Sequence, residues 1–86
     1  MNITIIDGAN SIRLVYNDLA TLGIPNIFSK ERVIRKSAVM QLKLGLENVY
    51  VEVVYIDGSK EQFDSSVFEG YEDNKSLFDA LASFIM

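Results

Sequence analysis

Cysteine, histidine and tryptophan are all missing from this chain. Without cysteine there is no disulfide framework and no thiol nucleophile; without histidine there is no imidazole triad, proton shuttle or common zinc site. Proline occurs once and glycine five times, too seldom for a linker or a low-complexity tract. Long apolar runs are missing as well. The longest, Val49 to Ile56, is interrupted by Glu52 and falls far short of the roughly 18–20 residues a membrane span needs. Residues Met1 to Asp7 show neither a basic segment nor an apolar stretch of signal-peptide length. These absences lead to the expectation of a cytoplasmic protein with no membrane contact.

What is present is enough to fold. Hydrophobic residues make up 49% of the 86 positions and charged residues 23%, a composition that buries a core rather than one that stays disordered. The length fits a single domain, 1–86. A net charge of −4 argues against a general nucleic-acid binder that relies on a positive field. The charges are unevenly spread, however. Lys30, Arg32, Arg35, Lys36 and Lys43 face only Glu31 in one segment, whereas Asp57, Glu61, Asp64, Glu69, Glu72, Asp73 and Asp79 dominate the last third.

Asn2 to Ile6 is short and β-branched and runs into the turn formers Asp7-Gly8-Ala9-Asn10, so it reads as a strand and a turn. On a helical wheel, Ile12, Val15, Tyr16, Leu19 and Leu22 share one arc opposite Arg13, Asn17 and Thr21; only Leu14 is misplaced. With Asn10 or Ser11 as cap and Gly23 and Pro25 as stop signals, the pattern predicts a helix over Ser11–Leu22. Its competitor is a hairpin returning Ile12 to Tyr16 as a strand, which leaves Leu19, Leu22 and the stop signal without a role.

From Ser37 the period changes to two, with Ala38, Met40, Leu42, Leu44 and Leu46 on one side. Val49–Ile56 is rich in β-branched and aromatic residues on both faces and predicts a central strand. Asp57-Gly58-Ser59-Lys60 then supplies a hairpin turn, and Glu61 to Val67 returns as a polar edge strand. Asn74 to Met86 places Leu77, Phe78, Leu81, Phe84 and Ile85 on one helical stripe, with Asp73 or Asn74 as cap. The expected fold is α+β: two layers, a mainly antiparallel sheet with two helices, in the order β-α-β-β-β-α.

The strand-borne Ile5-Ile6-Asp7-Gly8-Ala9-Asn10 resembles the first motif of PIN-like and NYN-type metal-dependent nucleases. The resemblance implies a metal-holding role for Asp7, chemistry that needs several converging carboxylates. It spans six residues; no second acidic motif follows on a buried parallel strand, and Ile56-Asp57-Gly58 uses the same words in a hairpin turn. Asp7 is therefore expected to form a turn, with no catalytic residue, metal or cofactor assigned.

Asp64, Glu69, Glu72 and Asp73 lie in a hydrophilic connection before a helix, where acids serve solvation, capping and the helix dipole. They also form a candidate acidic partner-binding surface. Lys30, Arg32, Arg35 and Lys36 form a possible basic contact patch, although these residues precede the aromatic strands instead of interleaving with them, against direct nucleic-acid binding. Tyr50, Val54 and Ile56 lie on the strand face that two helices on the other side would leave bare, and predict a homodimer. The resulting expectation is a non-catalytic, self-associating protein-interaction or regulatory module. The alternative is an acidic inhibitor that imitates a nucleic acid to block a nucleic-acid-binding protein or nuclease.

Overall fold

The computed structural model describes residues 2–16 and 30–86. Among these residues six strands and one α-helix follow in order: β1 (Ile3–Asp7), β2 (Ser11–Tyr16), β3 (Lys30–Arg35), β4 (Val39–Leu44), β5 (Val51–Tyr55), β6 (Lys60–Phe63) and α1 (Asn74–Ile85). They form two antiparallel three-stranded meanders, β1-β2-β3 and β4-β5-β6. The class is α+β, as the pattern suggested, but with two small sheets in place of one.

The expected helix at Ser11–Leu22 is corrected over Ser11–Tyr16, which is strand β2. Asp7-Gly8-Ala9-Asn10 turns the chain, the Gly8 N–H donates to the Ser11 carbonyl at 2.9 Å, and Asp7 pairs with Ile12. The remainder of that expected helix, with Leu19, Leu22, Gly23 and Pro25, lies outside the described residues. The physical reason for the correction is Leu14. A helix leaves it off the apolar stripe, whereas the strand puts Ile12, Leu14 and Tyr16 on one face, with Ile12 and Leu14 each 1% exposed. The basic run Lys30–Arg35 is strand β3, paired along its whole length with β2. There Ile34 points inward beside Ile12.

The second meander follows the sequence pattern more closely. The alternating segment from Ser37 begins with a 3₁₀ turn at Lys36–Ala38, and β4 carries an irregularity between Val39 and Gln41 that leaves Met40 exposed. β5 is the central strand, as expected. Gly58, at φ 91°, takes the left-handed position of the β5–β6 turn. Asp57 closes that turn by accepting from the Ser59 N–H at 2.9 Å and the Ser59 hydroxyl at 2.6 Å. The returning strand is shorter than Glu61–Val67: β6 stops at Phe63, and a 3₁₀ turn takes Ser65–Val67.

α1 begins with a capping box: Asp73 accepts from the Ser76 N–H at 2.8 Å, while the Ser76 hydroxyl accepts from the Asp73 N–H at 3.3 Å. Its buried residues Leu77 and Leu81 join Ile3, Ile12, Leu14 and Ile34 of the first sheet, Leu42, Val51 and Val53 of the second, and Phe68 in one core. Phe63 and Phe68 meet edge to face, ring centres 5.7 Å apart.

Two ties hold the pieces in register. Ile3 bridges to Phe68 in parallel, with the Glu69 N–H donating to the Ile3 carbonyl at 2.9 Å. The buried Asn74 accepts from the Ser65 N–H at 2.7 Å and donates to the Asn48 carbonyl at 2.8 Å, joining α1 to two connections.

Candidate functional site

Among the described residues, β3 is where polar side chains and a strand edge without a pairing strand meet. In the observed register, Lys30, Arg32 and Ile34 share the inward face of the first sheet with Tyr16, Leu14 and Ile12. Glu31, Val33 and Arg35 share the outward face with Val15, Arg13 and Ser11.

On the inward side Arg32 reaches the second sheet. Its guanidinium forms an ion pair with Glu61 on β6 and lies 3.4 Å from the Tyr55 hydroxyl on β5. Tyr55 in turn donates to Glu61 at 2.7 Å. The three side chains form a part-buried clamp between sheets, and each changes the others' acidity. The hydrogen bond to Glu61 outweighs desolvation and raises Arg32 above its usual value. Burial, reinforced by the bond to Glu61, pushes Tyr55 up to about 12. For Glu61, burial alone would raise the carboxyl, but the Arg32 and Tyr55 hydrogen bonds and the Arg32 charge hold it below the ordinary range. At neutral pH all three keep their usual protonation, and together they tie the second sheet to the first.

This disperses the possible basic patch. Arg32 is committed to the inter-sheet clamp. Lys36 pairs with Asp7 at 2.7 Å, which places Asp7 in a structural contact; among the described residues no group of three or more potential metal ligands gathers there. Lys30 and Arg35 are exposed at opposite ends of β3, and Arg35 has no side-chain partner among the described residues. Arg35, Lys36 and Ser37 face Ala9, Asn10, Ser11 and Val33 across an open cleft.

The acidic candidates are similarly separated by role. Asp64 caps the Ser65–Val67 turn through the Ser66 N–H at 3.0 Å, and Asp73 caps α1. Glu69 accepts from the Thr4 hydroxyl at 3.3 Å, and Glu72 is exposed. Of the candidate self-association residues, Val54 is buried at 5% exposure, Tyr50 is half-buried and Ile56 is 68% exposed. Val54 lies on the β5 face opposite Val51 and Val53, with Gln41 and Lys60 as its cross-strand neighbours.

Sequence reasoning missed two things: the clamp and the β3 edge. Among the described residues β3 pairs only with β2, and its outer side makes no backbone hydrogen bond. The other edges are blunted. β1 is fastened to Phe68 and Glu69, β4 is irregular near its start, and β6 has four residues, Lys60–Phe63. β3 keeps six regularly paired residues, with Val33 55% exposed at the outward face. Its alternation of Arg32 and Ile34 against Glu31, Val33 and Arg35 was the available signal. Comparison with protein families, with curated proteins and with solved structures found no match to this chain.

Proposed function

We propose that the chain is a non-catalytic protein-interaction module that acts as a homodimer. The observation that carries this reading is the β3 edge, six residues long, carrying an exposed valine and paired by none of the described residues on its outer side. A strand edge presents a row of backbone donors and acceptors whose natural complement is another strand, and folded proteins usually blunt such a row. The engagement of titratable groups in construction supports the non-catalytic part: Asp7 holds Lys36, Asp57 closes a turn, Asp64 and Asp73 cap helical turns, and Glu61 ties two sheets.

Sedimentation equilibrium across a micromolar concentration series tests the reading. The expected result is a reversible shift from 9.7 kDa towards twice that mass. A chain that remains at the monomer mass throughout the series refutes self-association.

A further inference from the structure

We infer that the dimer forms by antiparallel pairing of β3 with the β3 of a second copy, in a register centred on Val33. This inference rests on the self-association reading and adds the surface, the symmetry and the register. A two-fold contact uses the same residues from both partners, so a strand that pairs with itself must be self-complementary about its centre.

β3 meets that condition in one arrangement of Lys30-Glu31-Arg32-Val33-Ile34-Arg35. With Val33 opposite its own copy, Glu31 faces Arg35 on one side of the axis and Arg35 faces Glu31 on the other. All three residues project from the outward face of the first sheet, so both charge pairs and the valine pair fall on one surface. Directly opposed unlike charges stabilise an antiparallel pair, and like charges oppose it. The backbone groups of Glu31, Val33 and Arg35 point to the outer edge, so the neighbouring registers lie two residues away. One sets Arg32 against its own copy and the other sets Arg32 against Lys36, whereas the Val33-centred register opposes only Lys30 and Lys36, the latter already paired with Asp7. The charge pattern therefore selects the Val33-centred register over both neighbours.

Three further observations agree. Arg35 has no partner among the described residues, and Val33 is already exposed, so pairing removes apolar surface without breaking a contact of either side chain. Glu31 holds Arg13 at 3.0 Å within its own sheet, so pairing would set it between two guanidinium groups. Arg32 and Ile34 face the interior, where neither obstructs an incoming strand in the plane of the sheet. The product is a continuous six-stranded sheet, each half backed by its own second meander and helix.

The chain lacks cysteine, so a single introduced thiol reports one position. Val33→Cys should give a covalent dimer with a short bis-maleimide, because the opposed Cβ atoms of a hydrogen-bonded pair lie roughly 5–5.5 Å apart, beyond the roughly 3.5–4.5 Å of a disulfide and within reach of the linker. Ile56→Cys, exposed in the turn after β5, should give no covalent dimer under the same conditions. Arg35→Glu puts two glutamate pairs across the axis and should weaken dimerisation about ten-fold or more; Glu31→Lys combined with Arg35→Glu reverses both pairs and should recover most of the loss. A dimer that cross-links through Ile56→Cys and not through Val33→Cys, or that ignores Arg35→Glu, overturns this interface and leaves self-association standing. A wild-type chain that sediments only as monomer overturns both.

Discussion

Replacing Tyr55 with phenylalanine removes one hydroxyl from the clamp between the sheets and leaves the ring in place. In the native chain that hydroxyl donates to Glu61 at 2.7 Å and is held up to about 12 by burial and by the neighbouring carboxylate. A phenol harder to ionise in the folded chain than in the unfolded one, where its value is near 10, makes the folded state more stable wherever it stays protonated. That contribution is complete below pH 10 and is lost as pH rises through 12. Burial, the larger cause of the shift, penalises the phenolate and does not strengthen the phenol, so the shift measures the stability lost between pH 10 and 12. The contribution at pH 7 is that of the hydrogen bond to an ionised acceptor, which water at this half-buried site holds to about 1–1.5 kcal/mol. Urea denaturation of the wild type and Tyr55→Phe at one protein concentration, at pH 7, 9.5 and 11.5, isolates this contribution. The variant should be less stable by about 1–1.5 kcal/mol at pH 7, and the gap should close as pH approaches 12. Equal stability at pH 7, or a gap that does not narrow with pH, would refute the reasoning.

Asp73→Ala removes the capping box of α1 and should cost about 1 kcal/mol, lowering the calorimetric midpoint by roughly 4–8 °C; an unchanged midpoint would mean that another group satisfies the first turn. Gly45→Ala would set a methyl carbon 2.7 Å from Cε2 and Cζ of Tyr50. The backbone at Gly45, with φ −64°, accepts alanine, so the expected loss of about 1–3 kcal/mol is purely steric and should be relieved in Gly45→Ala combined with Tyr50→Ala. Asp7→Asn should cost less than about 1 kcal/mol, since it breaks one part-exposed ion pair with Lys36. Magnesium-dependent cleavage of RNA or DNA by the purified wild type, abolished in this variant, would return Asp7 to a metal-holding role.

The parts of the fold legible in the sequence are those decided by local chemistry. Asp57-Gly58-Ser59 makes a turn because its side chain and its glycine satisfy that turn alone, and Asp73 starts α1 because its own backbone needs a cap. Ser11–Tyr16 is ambiguous in sequence because two periodicities overlap there: Ile12, Val15 and Tyr16 suit a helix, while Ile12, Leu14 and Tyr16 suit a strand. Pairing on both sides, to β1 and to β3, decides between them. The Lys30–Arg35 run concealed a strand because its charges dominate its composition, yet Ile34 is buried and Arg32 spans to the second sheet. The clamp was illegible for a different reason: Arg32, Tyr55 and Glu61 come from three strands and meet only after both meanders pack.

The bridge between Ile3 and Phe68 has a kinetic consequence. The β1–β2 and β5–β6 turns bring together residues a few positions apart, for an ordering cost of about 1 kcal/mol each in loop closure, whereas Thr4 and Glu69 beside the bridge are 65 positions apart, which costs on the order of 4 kcal/mol. Hairpins formed on the microsecond scale thus precede the fastening of the first strand to the segment beyond the sixth. A contact made after the folding barrier leaves the refolding rate nearly untouched and controls how fast the native state opens. Weakening the packing of Phe68 against Ile3 should therefore shorten the lifetime of the folded chain and leave the time it takes to fold almost the same.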